Sequence, residues 1–468
     1  EKKTSAAFHP RHRSQSAPKP ASSSAAPSSR SCPIFALARP RFGALTVASR
    51  CRKALSVSVR KGELENVERN RDKSLGVTLL PRAAARQCLD LDFSPDAIRR
   101  TVQAAYDIAR FTAEDPVAGL PDEQDIADDY PDLDLFHPWA ISAEEAARSR
   151  CAARLRRSRP AGRSATAGGD VSAQQSHFFT EHMRGGERGC AGIFRGGCAS
   201  SRHSFSVAPI AGAARTCSAT TGSARCVRRP SWPAPRRSGA TRPSALARLK
   251  PRQVATTECP VLFEAPLAPV CSAGFIRPSA VARCTARPVS CSTAWATQVF
   301  PDHIDILEDP HLRGGRAAPL RRRGRAHRAT PGGRGRPGAG LFLSTYSARK
   351  LGMRTTGNAG GSHNLHLSSR LTQPGDDLDA MLRKLGTGLF VTELMGQGVN
   401  YVTGDYSRGA SGFWVENGQI AFPVQEITIA GNLRQMFQDL VAVGSDVYGY
   451  GGKNVGSILV SRMKLAGS

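Results

Sequence analysis

The stretch that most constrains the fold is residues 389–444, because its turn, strand and helix signals agree along one continuous piece of chain. Asn417 and Gly418 form the dipeptide that best supplies the two positive-φ residues of a type I′ turn, and alternating apolar residues flank it. We therefore predict a β-hairpin here. Because proline cannot donate a ladder hydrogen bond, the second strand should break at Pro423.

A helix is predicted to follow this hairpin. Asn432 is a suitable N-cap, Gln435 stands three residues later as in a capping box, and apolar residues then recur at helical spacing. Gly444 is predicted to end the helix, since glycine readily adopts the left-handed conformation found after a helix C-terminus. A last strand is predicted from Ser457 to Leu465.

A glycine-rich segment, residues 396–412, precedes the hairpin and carries polar side chains between its glycines. Such glycines are tolerated where the backbone must turn sharply or approach another chain or ligand closely, so we predict a loop. Two interpretations stay open: a functional loop, or tight β-turns in a barrel-like domain. The candidate site residues of this segment are Gly404, Asp405, Tyr406, Ser407, Arg408, Gly409 and Ser411.

The N-terminal part also carries regular patterns. Alternating apolar residues from Leu55 predict a strand, a second extended run follows, and residues 76–80 read as a third. Ser94, followed by a proline and an aspartate, predicts the start of a helix, and a second helix should begin at Ser142. We predict an α+β protein with two domains: a mixed domain of antiparallel strands and helices, followed by a β-rich domain.

The predicted domains cover residues 55–199 and 200–468, but regular patterns fail in five stretches within them. These stretches are rich in Arg, Ala, Gly, Pro, Ser and Cys, and we predict neither helices nor strands in residues 148–170, 183–198, 208–252, 269–296 and 313–340. Residues 1–54 have a similar composition and are predicted to be unstructured or out of frame.

Two hypotheses account for these stretches. They are disordered basic linkers inserted between patterned blocks, or patches of a GC-rich coding sequence read out of frame. The second hypothesis explains better why cysteines, of which the chain has 12, are so frequent there. It also implies an alternative in which the polypeptide is not a functional product.

The net charge of +27 is unevenly distributed. Residues 60–146 carry 10 basic and 19 acidic residues, residues 376–468 carry 7 and 9, and the remainder holds 48 and 10. A basic excess usually indicates binding to nucleic acid or an anionic surface. Here it lies outside the two best-patterned regions, so we predict no nucleic-acid partner, while a basic nucleic-acid-binding or scaffold protein stays the rival hypothesis.

The sequence also bears on location. No run of 18 or more apolar residues occurs, which predicts no membrane-spanning segment. The first residues lack the apolar core of a secretory signal, and no CxxC pair occurs, so we predict a cytoplasmic protein with reduced cysteines.

Two segments carry a family resemblance: ELMGQGVNYVTGDYSRGASGFWVENG at residues 393–418 and STYSARKLGMRTTGNAGGSHN at residues 344–364. They resemble the TldD/PmbA family of bacterial metallopeptidases, and within it the PmbA-type (TldE-type) subunits. Shorter islands at residues 171–179, 256–268 and 297–312 are also similar to the family. The resemblance implies proteolysis of extended or modified peptides by a heterodimer that encloses a peptide chamber.

The resemblance also implies where the metal is bound. TldD-type subunits carry HExxxH on a zinc-binding helix, whereas this chain has neither HExxxH nor HExxH. The segment expected to correspond to that helix, residues 258–266, has no histidine. The resemblance therefore implies no metal, no cofactor and no catalytic residue in this chain, with zinc on a TldD-like partner. It adds Asn358, His363 and Asn364 to the residues that could form the chamber wall or the subunit interface.

Three other features have plain alternatives. His363 and His366 form an HxxH that would need a third metal ligand from elsewhere, so we interpret them as ordinary loop and strand histidines. Cys259 has no basic neighbour in sequence and is predicted to be a small buried side chain. Ser411 lacks the GxSxG spacing of a nucleophile elbow.

Overall fold

The computed structural model of the protein describes residues 44–60, 63–80, 86–125, 131–148, 164–186, 189–211, 245–269, 300–313, 330–332, 343–358, 362, 364–401, 403–448 and 452–467. In chain order the strands and helices are β1 (Ala44–Arg60), β2 (Glu63–Leu80), β3 (Arg86–Asp90), α1 (Pro95–Arg110), α2 (Ala143–Arg148), β4 (Ser164–Gly186), β5 (Gly189–Ala211), β6 (Thr257–Phe263), β7 (Ile304–Glu308), β8 (Thr330–Gly332), α3 (Thr345–Lys350), β9 (Leu365–Ser369), α4 (Leu378–Leu385), β10 (Gly388–Met395), β11 (Asp405–Glu416), β12 (Gln419–Asn432), α5 (Leu433–Gln438), β13 (Leu440–Val443), β14 (Lys453–Val455) and β15 (Ile458–Ala466). Short 3₁₀ helices span Glu123–Asp125 and Ala245–Arg248.

The N-terminal sheet is antiparallel and has the strand order β3-β2-β1-β4-β5. Both helices of this region cover one face of the sheet. α1 packs Val102 against Val47 and Val77, and α2 packs Ala146 against Val57. The same face of β1 therefore carries two buried apolar patches, Leu45 and Val47 under α1 and Val57 and Val59 under α2, with the exposed Cys51 and Lys53 between them.

The two helix starts agree with their sequence signals. Ser94 is the N-cap of α1, and its hydroxyl accepts from the Ala97 amide at 3.3 Å. Before α2, the Ser142 hydroxyl accepts from the Glu145 amide and the Glu145 carboxylate accepts from the Ser142 amide, each at 3.0 Å. This reciprocal pair is a capping box. Both predicted helix starts are confirmed.

Several predictions for this region need correction. Residues 76–80 are the end of β2 rather than a separate strand, and residues 44–54, expected to be unstructured, are part of β1. Strands β4 and β5 include residues 164–170 and 189–198, where neither helix nor strand was predicted. Backbone pairing explains this, since the whole of β4 pairs with neighbouring strands whatever its side chains. The boundary expected near residue 200 falls within β5.

The C-terminal part is built around a closed sheet. Its strand order is β12-β11-β10-β6-β15-β13, and β12 also pairs with β15, so five strands form a barrel. Phe263, Ile429 and Met463 belong to the large buried cluster shared by the barrel and α5, while α4 covers the opposite face through residues such as Met381. A third sheet, with the order β14-β9-β7-β8, packs onto the barrel cluster.

The predicted hairpin is confirmed, with Asn417 at φ 51° and Gly418 at φ 76° between β11 and β12. The predicted break at Pro423 is wrong, because β12 continues through it and Pro423 lies opposite Phe413. A proline removes a donor but keeps its acceptor, and the Pro423 oxygen accepts from the Arg252 amide at 2.8 Å. The register shifts on both sides of Pro423, between Ile420 and Phe422 and again near Glu426, which has φ 58°.

Asn432 is the N-cap of α5, as predicted, although its side chain accepts from the Arg434 amide at 3.1 Å. Gln435 donates to Asp439 at 3.0 Å rather than to the cap, so its predicted role in a capping box is wrong. The prediction that the helix runs to Gly444 is also wrong, because α5 ends after six residues. The apolar residues that follow it form β13, which pairs with β15.

Two further outcomes concern β6 and β15. Residues 258–266, expected to contain a helix, instead form most of strand β6, which pairs with β10 and β15. The last strand is confirmed, with its bounds at Ile458–Ala466.

The α+β class is confirmed by the mixture of helices and largely antiparallel sheets. Within the described ranges, no helix is long and apolar enough to cross a membrane.

Candidate functional site

The glycine-rich segment is a loop only as far as Gly404, and the loop prediction is wrong for Asp405 onward. These residues form β11, which lies in the barrel wall between β10 and β12. A Cβ atom at Gly412 would clash with the Phe390 carbonyl oxygen across the strands, and one at Gly398 would clash with Ser407. The glycines therefore permit close backbone approach, which favours the structural interpretation at these positions.

The candidate residues on β11 alternate between two faces. Tyr406 and Ala410 are buried in the barrel cluster. Asp405 and Ser407 point to the opposite face and are exposed, and Ser411 on that face is partly exposed. Between Asp405 and Ser411 the outer face of this strand is therefore small and polar, while the inner face buries Tyr406 and Ala410. Ser411 lies in mid-strand opposite Glu393, which is not the strand-to-helix turn of a nucleophile elbow.

The turn before β11 is held by the start of α5. Gly404 adopts φ 85°, and its carbonyl oxygen accepts from the Leu433 amide at 2.7 Å. The Asn432 side chain donates to the Thr403 oxygen at 3.1 Å, and the Thr403 hydroxyl donates to Asp405 at 2.5 Å. The Asp405 carboxylate is therefore engaged within its own turn.

Arg408 is half-buried and follows the alternation of the inner face. Its Nη2 donates to the Gly396 carbonyl oxygen at 2.7 Å, and its Nε is buried with no hydrogen-bond partner. The last pair between β10 and β11 joins Met395 to Gly409, so Arg408 lies just beyond the end of β10. Its guanidinium is therefore at one end of the barrel.

The second group of candidates lies in the segment before β9. Asn358 is buried, and its Nδ2 lies 2.8 Å from each carboxylate oxygen of Glu308. The Thr356 hydroxyl donates to Asn358 Oδ1 at 2.7 Å. Asn364, at φ 45°, donates to the Asp309 oxygen at 2.8 Å. Both asparagines thereby fasten this segment to the end of β7, whereas His363 lies outside the described residues.

Glu308 was not singled out from the sequence, although it is only 1% exposed. A signal was present, because Ile304, Ile306 and Glu308 occupy alternate positions of one short strand. That alternation places the carboxylate on the buried face, where it needs a donor. The two candidate groups lie on different sheets, the third sheet and the barrel wall, which share one apolar core.

An acidic segment of the N-terminal part, residues 112–125, contacts α3. The Tyr346 hydroxyl donates to Asp115 at 2.8 Å, which lowers the pKa of that carboxyl and raises the pKa of the tyrosine. Arg349 donates to Asp122 at 2.9 Å and to the Leu120 oxygen at 2.8 Å. This contact ties the N-terminal part to the helix that leads into the Asn358 segment.

The remaining side chains with metal or nucleophile chemistry are isolated. His366 is half-buried on β9, and burial lowers its pKa. Cys259 is 7% exposed, which confirms the predicted buried side chain, and burial raises the pKa of its thiol to about 11. In the part of the chain that the structure describes, no group of three or more His, Cys, Asp or Glu residues could hold a metal ion.

Comparison with known proteins identifies the family. The family model described as the PmbA/TldA metallopeptidase C-terminal domain matches residues 256–467, and that described as domain 1 matches residues 52–109. The metalloprotease PmbA of Escherichia coli O157:H7 is 41% identical over 424 residues, covering 88% of this chain and 90% of the relative. The chain belongs to the PmbA/TldD metallopeptidase family. A PmbA homologue of Haemophilus influenzae is 34% identical over 427 residues, with the same coverage of 88% and 90%.

Solved structures with this fold include distant relatives. A Bacteroides thetaiotaomicron protein described as a candidate modulator of DNA gyrase has a TM-score of 0.79 at 18% identity, covering 93% of this chain and 97% of that one. TldE of Thermococcus kodakarensis has a TM-score of 0.72 at 15% identity, covering 93% and 99%. At 18% and 15% identity, these similarities establish a shared fold and nothing further.

The coverage also bears on the unusual basic stretches. The alignment with the Escherichia coli PmbA spans nearly equal shares of the two proteins, 88% and 90%, so their lengths are similar. Long inserted linkers would make this chain much longer than its relative. The similar lengths favour replacement of family residues over long insertions, and both hypotheses stay predictions.

Proposed function

We propose that this chain is the subunit of a two-subunit zinc metallopeptidase that binds no zinc itself, and that the complex acts in the cytoplasm. A TldD-like partner would hold the zinc, and the complex would cut and mature extended or modified peptides. One observation carries the proposal: a member of a metallopeptidase family has neither HExxxH nor HExxH in its sequence.

The chain's own contribution would be to bind and orient the peptide. The outer face of β11, with Asp405, Ser407 and Ser411, and the segment fastened by Asn358 and Asn364 are the proposed wall or interface elements. Both are held by strands and buried hydrogen bonds rather than by free loops. Such support keeps side chains in a fixed geometry, which binding and catalysis require.

The test is reconstitution with a TldD-like subunit. We expect the two proteins to co-elute in gel filtration, with zinc in the complex and in the isolated partner but not in this chain, as measured by plasma mass spectrometry. Cleavage of an unstructured peptide should require both subunits. The matched control is a partner whose HExxxH glutamate is changed to glutamine, which should assemble but not cleave. Zinc bound by this chain alone, or cleavage by the partner alone at the same rate, would refute the proposal.

A non-functional product is the second candidate, because out-of-frame reading would replace family residues in the basic stretches while keeping a length close to that of the relatives. Missing core residues leave cavities and unpaired strand edges, which favour aggregation. The expressed chain would then aggregate. A monodisperse preparation with one cooperative melting transition contradicts this alternative, and sequencing of the coding DNA across codons 148–340 tests its cause directly.

A further inference from the structure

We propose that Arg408 is a binding site for a carboxylate, supplied by an acidic peptide in extended conformation. The inference rests on the proposed function, since it names a chemical feature of the peptide that this subunit would receive. The observation behind it is that Arg408 is half-buried, with its Nε shielded from water, and forms no ion pair with a carboxylate of the described residues.

Arg408 uses few of its donors within the chain. A guanidinium has five N–H groups. Here Nη2 donates to the Gly396 oxygen at 2.7 Å, while Nε is buried without a hydrogen-bond partner. Among the ion pairs of the described residues, none includes Arg408. A cation removed from water is normally compensated by an acidic group, because its desolvation is costly.

Other arginines with little exposure are compensated. The Arg248 side chain is 15% exposed and lies 3.3 Å from Glu393, and the Arg349 side chain is 30% exposed and lies 2.9 Å from Asp122. Arg248 Nε is likewise buried without a hydrogen-bond partner, so what distinguishes Arg408 is the missing carboxylate and not the unpaired Nε. We infer that the missing negative charge is supplied by an anion that binds from outside the described chain.

The nearest acidic residue in sequence does not serve this role. Asp405 is exposed, accepts a hydrogen bond from Thr403, and by strand alternation lies on the opposite face of β11 from Arg408. The outer and inner faces of one strand cannot exchange such contacts. The guanidinium consequently keeps its unused Nη hydrogens at the end of the barrel.

Among the groups that a peptide carries, a carboxylate matches these unused donors best. The planar fork of a guanidinium binds a carboxylate through two parallel hydrogen bonds, which are short and charge-assisted. Because the Gly396 carbonyl already holds one nitrogen, little side-chain entropy would be lost on binding. The edge of β11 beyond the end of β10 is paired with residues 398–400 of the chain itself. Gly396, the residue to which Arg408 donates, is exposed, so a peptide carboxylate can approach the guanidinium from the solvent beside it.

The test measures binding by the full-length chain alone, without the partner subunit or any catalytic readout. Two fluorescein-labelled peptides of about ten residues are compared by anisotropy: one has glutamate at alternate positions and a free C-terminus, and the other has glutamine and a C-terminal amide. We expect the acidic peptide to bind the wild type at least about tenfold more tightly, since a charge-assisted pair contributes roughly that factor. Added salt should reduce the difference.

Variants locate the site. Arg408→Gln should abolish the preference for the acidic peptide, and Arg408→Lys should keep part of it as a point charge without the fork. The matched control is Arg434→Gln on α5, an exposed arginine nearby, which should keep the full preference. Circular dichroism melting of each variant establishes that the fold is intact, so a loss of preference is read as a loss of binding.

Three outcomes overturn the proposal: equal affinity of the wild type for the two peptides, an unchanged preference in Arg408→Gln, or a preference lost equally in Arg434→Gln. A further result would also overturn the proposal: Arg408→Gln keeps the peptide preference but no longer assembles with a TldD-like subunit. In that case Arg408 would bind a carboxylate of the partner subunit rather than one of a peptide. An Arg408-dependent preference in a chain that forms no active peptidase supports the carboxylate site and refutes the proposed function.

Discussion

Removal of the Asn358 side-chain amide should destabilise the C-terminal part by a large and measurable amount. Asn358 donates to both oxygens of the buried Glu308 carboxylate at 2.8 Å, and Glu308 is 1% exposed. Asn358→Leu preserves the size of the side chain but leaves the carboxylate without this donor. A hydrogen bond to a charged group contributes about 1.5–3 kcal/mol. We expect a loss of about 1.5–3 kcal/mol in the free energy of unfolding.

A double-mutant cycle separates this cause from a simple packing defect. Glu308→Met alone should also destabilise, because it leaves the Asn358 amide buried without its acceptor. Combining it with Asn358→Leu removes both polar groups together, so the double variant should lose less than the sum of the two single losses. We expect a coupling of about 1.5–3 kcal/mol.

Urea unfolding followed by tryptophan fluorescence measures these changes, with Trp414 in the barrel wall as a local reporter. The matched control is Asn70→Leu, an exposed asparagine on β2, which should change stability by less than about 0.5 kcal/mol. A loss below about 1 kcal/mol in Asn358→Leu, or strict additivity in the cycle, would show that the buried amide–carboxylate contact does not stabilise this segment.

Three further predictions follow from single contacts. Gly412→Ala should destabilise the barrel by about 1–3 kcal/mol or more because its Cβ would meet the facing backbone of β10, whereas Gly375→Ala, with open space around it, should be nearly neutral in the same urea assay. Cys259 should resist iodoacetamide at about pH 8 until the protein unfolds, because burial raises the pKa of its thiol to about 11; peptide mapping that finds it labelled in the native protein would contradict this. The Lys384 ammonium, 2.6 Å from Asp376, lowers the pKa of that carboxyl, so the ion pair adds stability above the ordinary carboxyl pKa and loses it as pH falls through the lowered value. Lys384→Met should therefore cost stability near neutral pH and little in strong acid, and a pH-independent loss in the unfolding curves would argue against the ion pair.

Local signals were readable from the sequence where neighbouring residues alone determine the geometry. Ser94 and Asn432 cap helices, and Asn417 with Gly418 turns the hairpin, because each needs only a side chain and the backbone a few residues away. The end of α5 was misjudged for the opposite reason. The apolar residues after α5 have helical spacing, but they form β13 because they pair with β15, a strand that lies further along the chain. Pairing with such a partner outweighs the local helical pattern.

The candidate site was predictable only in part for the same physical reason. Asn358 and Asn364 were named through family resemblance, and the structure shows what each contacts. Glu308 could have been found from strand alternation, but its partner lies 50 residues away and no local pattern indicates it. The state of Arg408 was equally inaccessible, because the absence of an acidic partner depends on which face of β11 each neighbour occupies.

The closure of the barrel has a consequence for the order of synthesis. Strand β15 pairs with β6, β12 and β13, so it supplies the ladder hydrogen bonds for strands made long before it. Until residue 466 has left the ribosome, β6 and β12 have unpaired edges facing β15, and the barrel cluster cannot be sealed. The C-terminal part therefore folds only after nearly all of the described chain has been translated. During that interval its apolar strands and unpaired edges are exposed to association with other nascent chains.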